Sequence, residues 1–494
     1  NIFQNFKMEK STATEILKTF SKEELSRFKD FTASPYHNKN SNVTKLCSAL
    51  LKHAPAFPHE KVTREELWKK IFPAKKYNYG IMKNLMHGLS NLARSFIAFE
   101  KFANNELYYN RFLIPAAREK NLLNMHMKTL RRQNKLIEKM IKDEFYYEEV
   151  IATAREHLTA NIDNTYIDET KITMQDGDLK LFLLKYFIGS LSLLTEEQRT
   201  NIKHDFEFTK NLLNYFEGDL PKFREDVILT VYFYLMKSSL ELNNESLYNE
   251  TRRLVENNLH VMNHMTKRNC YAVFIALCNR KIYLYPDKTN EYQNELLKIH
   301  LEMLEKSLLG PENSVNIHIE MFRNIVVMCN FGKETDILNG VIEKYAALVL
   351  NTDHESLKNY SYAFLNIMKG NFEKCLELCS KINFLKLYQP AKGSFWFKND
   401  IKQLEIMCYF ELGHFEELLG AADSYRHFIV NCKQMNDIMK TRNLKFNHYT
   451  VKLTQSKMDG NPFPITSENF EKENVAGKSW LKSKITEHAG FALS

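Results

Sequence analysis

Apolar residues recur at helical spacing along almost the whole chain, and the breaks between them are short. The segment from Tyr79 past Phe99 shows this most plainly. Ile81, Met82, Leu85, Met86, Leu89, Leu92, Ala93, Phe96 and Ile97 form one stripe, with Lys83, His87, Asn91 and Arg94 on the opposite face. A second stripe, Val227, Ile228, Val231, Tyr232, Leu235, Met236 and Leu240, marks the segment Lys222–Leu242. Residues 1–103 divide into five helices by this pattern. Thr12–Phe20 is short, and Ser21 with Glu24 forms a capping box for a helix that ends before Ser34-Pro35. A polar loop from His37 to Ser41 leads to Val43–His53, after which Pro55 and Pro58 break the chain. Thr63 with Glu66 forms a second capping box, opening Arg64–Phe72, and Pro73 closes that helix before the Tyr79 stripe begins.

From Asn104 to Asp163 the pattern predicts nearly continuous helix, with Pro115 in a first turn and a long helix after it to about Lys142. Asp163 to Asp178, which includes Asp176-Gly177-Asp178, reads as a polar break. Helices then pair: Leu179–Leu194 with Glu196–Phe216, and Lys222–Leu242 with Glu245–Asn258. Thr266–Leu284 follows, then a break at Pro286 and the helix Asn290–Leu309, which Gly310-Pro311 ends. Beyond His427 come a long helix near Lys433–Ser456, a loop with Pro462 and Pro464, and a last helix around Ser479–Glu487. The organisation expected is a helical domain over 1–103, a repeat region over 104–430 and a helical cap over 431–494.

Within Asn316–His427, glycines mark the turns of three helical hairpins: Asn330-Phe331-Gly332, Lys369-Gly370-Asn371-Phe372 and Leu412-Gly413-His414-Phe415. The glycines lie 38 and 43 residues apart, a period typical of stacked hairpins. Two short helices cannot bury both their faces alone, so such units must stack on their neighbours.

These units resemble tetratricopeptide repeats. With Gly370 at the family's turn, Ala363 and Cys375 fall on its small residues and Phe372 on its aromatic position; with Gly413, Tyr409 and Phe415 match. Ile406, Leu418 and Lys344 depart from the family's small residues, and the period is longer than the family's. The resemblance implies an all-α, right-handed α-solenoid of tetratricopeptide-like hairpins. It also implies a partner-binding wall carrying Tyr360, Phe364, Ile367, Gln403, Met407 and Phe410. The segment order from Asn290 to His427, and from Ser21 to Phe96, is similar to bacterial helical-repeat proteins without an assigned function. Residues 43–96 are similar to the helix-turn-helix part of transcription activators that carry repeat domains. That resemblance places Lys75, Lys76, Lys83, Asn84, His87 and Arg94 against nucleic acid, but the family's β-hairpin wing has no counterpart, because Phe99 to Phe112 reads as helix.

Composition agrees with helices. The 494 residues exceed one compact core, and 15 Gly and 11 Pro are few for an all-β chain of this length. Charge changes the picture more. Residues 1–103 hold 18 Lys/Arg against 9 Asp/Glu, a net of +9 within a chain of +8, so the remainder sums to −1. That asymmetry points to an acidic partner at the N-terminal region, nucleic acid or protein, with a solvated basic surface as the alternative. The first residues lack an apolar core of signal-peptide length, Met8 is a candidate natural start, and the longest wholly apolar run, Tyr271–Cys278, is too short for a membrane span. Eight cysteines without a C-x-x-C read as reduced cytoplasmic thiols.

Enzyme signatures are sparse. His260 and His264 stand one turn apart but lack the glutamate of H-E-x-x-H and a third ligand, so they read as surface histidines. Cys375 and Cys379 read as buried core thiols. Gly477-Lys478-Ser479 ends like a phosphate loop, yet Lys472 stands where its first glycine belongs. The acidic stretch Asp163–Asp178 lacks EF-hand spacing. The function expected is a non-enzymatic, cytoplasmic protein–protein interaction scaffold without cofactor or metal, with a nucleic-acid-binding regulator as the alternative.

Overall fold

The computed structural model describes residues 11–54, 57, 63–160, 167–197, 200, 202–218, 223, 225–312, 314–388, 394–460 and 470–491. The fold is all-α and solenoid-like. Among the described residues there is no strand, only an isolated parallel bridge between Ile317 and Val349. The chain forms two compact units, Asn1–Met140 with Glu149–Met174, and Ile141–Glu148 with Gln175–Ser494.

The first unit begins with α1 (Thr12–Leu17), α2 (Lys22–Ala33), α3 (Ser41–Leu51), α4 (Arg64–Ile71) and α5 (Tyr79–Ala103). Both capping boxes form: Ser21 and Thr63 each cap an amide three residues on, and Glu24 and Glu66 reach back. The core gathers around α5. Phe96 meets Phe20, Phe28 and Phe31 at ring distances of 5.3 to 5.5 Å, while Met82, Leu85, Leu89 and Ala93 are buried against α1 and α3. Ile81 and Ile97, at the edges of the expected stripe, are each 46% exposed. Arg27 of α2 pairs with Glu100 of α5 at 2.6 Å.

Two expectations fail in the next stretch. The chain is not one long helix but α6 (Glu106–Glu119), α7 (Leu123–Ile137) and α8 (Glu144–Ala160). Pro115 lies inside α6 instead of opening a helix. Asn121 stops α6: at φ 57° it is left-handed, and the Leu122 amide bonds back to the Ala117 carbonyl at 2.8 Å. Nor is Asp163–Asp178 a break throughout. Residues 163–166 lie outside the described residues, as do Pro55, Pro58, Met8, Pro462 and Pro464, but Asp176-Gly177-Asp178 sits within the 31-residue α9 (Ile167–Glu197). Lys180 explains how acidic residues are tolerated there, pairing with Asp176 and with the buried Asp226 at 2.8 Å each.

The second unit continues with α10 (Glu207–Glu217), α11 (Val227–Leu240), α12 (Glu245–Asn257), α13 (His264–Leu284), α14 (Thr289–Glu305), α15 (Ile319–Gly332) and α16 (Thr335–Tyr345). Then come α17 (His354–Met368), α18 (Phe372–Ser380), the single turn α19 (Phe384–Leu387), α20 (Ser394–Leu412), α21 (Phe415–Asn431), α22 (Asp437–Asp459) and α23 (Lys478–Phe491). Packing is mainly between sequence neighbours: α13 on α14, α14 on α15, α17 on α18, α20 on α21 and α21 on α22. That is the contact pattern of a helical-repeat fold.

The hairpin turns share one geometry. Amides of Glu334, Asn371 and His414 each bond the carbonyl five residues back, at 2.9 Å, across a left-handed residue. That residue is Gly370 (φ 75°) in the second turn and Gly413 (φ 73°) in the third. In the first it is Lys333 (φ 56°), one residue after the glycine that marks the turn in sequence. Helix α14 likewise ends at Glu305 with Ser307 left-handed, not at Gly310. Gly310 serves a different need: a Cβ there would stand 1.7 Å from the Asn316 carbonyl oxygen.

Candidate functional site

The residues expected to form a partner wall lie on α17 and α20, and most are interior. Tyr360 is fully buried, Phe364, Met407 and Phe410 are buried, and Ile367 and Gln403 are half-buried. Their polar groups are already engaged. Tyr360 donates its hydroxyl proton to Asp400 at 2.6 Å, and Arg323 of α15 grips the same carboxylate through two bonds of 2.6 Å. Burial, with the Asp400 charge beside it, holds the Tyr360 hydroxyl far above its ordinary pKa. Burial opposes the Arg323 charge too, but Asp400 outweighs it and the guanidinium stays protonated. Gln403 donates to the Tyr425 hydroxyl at 2.7 Å and to Asn443 at 3.1 Å, joining α20 to α21 and α22. These are polar ties between repeats. Ala363 and Cys375 are buried where the repeat resemblance puts small residues; Ile406 and Leu418 are buried too, and Lys344 is exposed.

The basic face of α5 is organised in the opposite way. Lys83, Asn84, His87 and Arg94 all point outward, and Lys75 and Lys76 stand exposed in the turn before the helix. Asn78 fixes the start of α5 by accepting the Ile81 amide at 3.0 Å. Among the described residues none of these four lysine and arginine side chains on α5 and its preceding turn has an ion pair; Lys75 only lies over the Phe72 ring. Helix α3 packs on both α4 and α5, whereas α6 follows α5 where a wing would stand.

A second basic feature was not singled out by sequence. A groove of about 1080 Å³ runs along α3, lined by Lys39, Lys45, Lys52 and Lys70 with Asn38, Ser41, Thr44 and Ser48, and no lining residue is acidic. Asn38 rigidifies its rim, donating to the Thr32 carbonyl at 2.9 Å and to the Thr44 hydroxyl at 3.0 Å. Lys70 approaches His53 at 3.3 Å. The available signal was Lys45 and Lys52, two turns apart on one helix. Lys39 and Lys70, however, arrive from a loop and from another helix, so no local pattern reveals the set.

His260 lies in a short 3-10 turn and His264 opens α13, contacting the Ser307 carbonyl at 3.3 Å, so they do not share a helical face. Among the described residues no group of three or more potential metal ligands converges. All eight cysteines are buried and free; burial raises Cys47 to about 11 and Cys270 to about 12, which disfavours the thiolate. Lys478 does not face a phosphate loop. It donates to the backbone carbonyls of Pro286, at 2.7 Å, and Glu471, and burial lowers its pKa. No described helix is long and apolar enough to cross a membrane. Compared with known proteins, the chain matches no family model, no curated protein and no solved structure.

Proposed function

We propose that this protein is a non-enzymatic interaction scaffold whose first unit holds an acidic segment of a partner protein. The observation that carries the reading is the α3 groove, with four lysines and no carboxylate in its lining. Like charges gathered without counter-charges repel one another, and an acidic ligand relieves that cost while gaining charge-assisted hydrogen bonds. The hydroxyls of Ser41, Thr44 and Ser48 add neutral donors between the lysines. The tetratricopeptide-like resemblance supports a scaffold in general, because stacked hairpins present extended surfaces to partners. The test is fluorescence titration of a labelled glutamate-rich peptide into the full chain and into a Lys45→Glu/Lys52→Glu variant. Saturable binding that the variant loses is expected; equal binding by both chains sinks the reading.

A second reading rests on α5. Lys83, Asn84, His87 and Arg94 expose donors over several turns of a 25-residue helix. A helix of this kind suits phosphates and base edges, making the protein a nucleic-acid-binding regulator. Duplex binding that weakens steeply with salt and is lost in Lys83→Glu/Arg94→Glu, but not in Lys45→Glu/Lys52→Glu, favours this reading over the first.

A further inference from the structure

Aromatic rings stand in solvent where α5 gives way to α6. Phe102 meets Tyr109 and Phe112 of α6, each at a ring distance of 5.7 Å. Tyr109 is 44% and Phe112 63% exposed, and Phe99, one turn earlier on α5, is 45% exposed beside His37. Packing against one another hides only part of these rings, and large apolar groups clustered in water mark a contact surface. Their place on α5 is informative. His87, Asn91, Arg94, Ala98 and Phe102 follow at spacings of four, three, four and four residues, so Phe102 lies at the end of the basic face. Lys101, exposed beside it, extends the line of Lys83 and Arg94, and Lys83 to Lys101 spans about 27 Å of helix. The one acidic residue of α5, Glu100, is held by Arg27 at 2.6 Å, and among the described residues Lys83, Arg94 and Lys101 have no ion pair. Helix α5 therefore presents a track of cations that runs into a platform of rings.

We propose that this surface binds single-stranded nucleic acid, with Lys83, Arg94 and Lys101 on phosphates and unpaired bases stacked on Tyr109 and Phe112. The inference rests on the reading of α5 as a nucleic-acid face and names the strand form that the face takes. In a duplex the bases already stack on one another and offer only their edges in the grooves, so rings beside the phosphate track gain nothing. In a single strand the base planes are free, and because every base has a π-face the contact is tolerant of sequence. The two halves of the surface also exclude simpler ligands. An apolar peptide would cover the rings and leave the cations unpaired, and an acidic peptide would do the reverse. Bases carried on a phosphate chain use both.

The experiment is fluorescence anisotropy of the full chain with labelled oligodeoxythymidine and oligouridine of about 12 nucleotides, and with the oligodeoxythymidine–oligodeoxyadenosine duplex of the same length. A single strand bound about ten-fold or more tighter than the duplex is the expected result. Tyr109→Ala/Phe112→Ala should remove that advantage yet leave duplex binding and its salt dependence in place, because the phosphate contacts remain. Should that variant lose its helical circular dichroism, Phe112→Trp decides: added emission quenched by a single strand and not by the duplex supports stacking, and unquenched emission overturns it. Duplex bound as tightly as either single strand, and lost in Lys83→Glu/Arg94→Glu, overturns this inference and leaves the α5 reading standing. Binding of neither form ends both. A single-strand preference that survives loss of the rings, or a dimer that Tyr109→Ala/Phe112→Ala abolishes, also overturns the inference.

Discussion

Helix α5 and the helix pair α17 and α20 differ in what they expose. On α5 every residue assigned to the polar face is solvent-exposed, because the helix has one buried side and one free side. On α17 and α20 the residues assigned to an open wall are buried or half-buried, because a repeat helix has neighbours on more than one side. Hydrophobic periodicity locates the most apolar side of a helix. It does not show how many sides are covered, and in stacked hairpins that number depends on residues far away.

Substitutions that break or sharpen this contrast differ in expected size. Asp400→Ala leaves the Arg323 charge buried without its carboxylate and removes the acceptor of Tyr360. It should cost about 3–5 kcal/mol, read as a lower urea midpoint. Lys83→Glu with Arg94→Glu on α5 should shift stability by less than about 0.5 kcal/mol, since neither side chain is engaged. If that double variant is as damaging as Asp400→Ala, the distinction between the two surfaces fails. Lys45→Glu with Lys52→Glu should leave the urea midpoint in place while weakening an acidic peptide about ten-fold, about 1.4 kcal/mol, by titration.

Smaller effects probe the turns and the buried titratable groups. Lys333→Gly places glycine at the left-handed position of the first hairpin and should stabilise by about 1 kcal/mol, whereas Gly370→Ala should cost a similar amount; thermal melts of both decide. His300 is buried, donating from Nδ1 to the Leu296 carbonyl at 2.7 Å, and burial lowers its pKa. Its stabilising contribution is therefore complete above the unfolded pKa, about 6.5, and is lost as pH falls toward the lower folded value. Urea midpoints of the wild type should fall on going from about pH 7.5 to about pH 5.5, and fall less in His300→Gln.

Much of the local structure was legible in the sequence. The two capping boxes, the five helices of residues 12–103 and the left-handed glycines at Gly370 and Gly413 follow from side chains acting within a few residues of themselves. Errors arose where distant or less typical groups decide. Pro115 suits a first helical turn, but it lies inside α6 and the stop is Asn121. Asp176-Gly177-Asp178 has the composition of a loop, but Lys180, one turn on, pairs with Asp176 and ties the helix to the distant Asp226, which no local pattern marks. Gly310 looked like a helix stop, while the contact that requires it is with the backbone of Asn316. Of the candidate surfaces, the α5 face was legible as one helix, but the α3 groove was not, because Lys39, Lys45, Lys52 and Lys70 come from three separate elements.

The sequence by itself determined that this chain is helical, where most helices begin, which turns are tight and where positive charge is concentrated. Those properties arise from side-chain periodicity, capping and composition, all short-range or additive. Tertiary structure alone decided which apolar faces are free. It buried Tyr360 against Arg323 and Asp400, gathered four lysines into one groove, and laid the C-terminal segment across Met407 and Phe410. The reason is physical: burial is a property of every surface that meets at a point, and in a chain of stacked hairpins those surfaces are up to about two hundred residues apart in sequence.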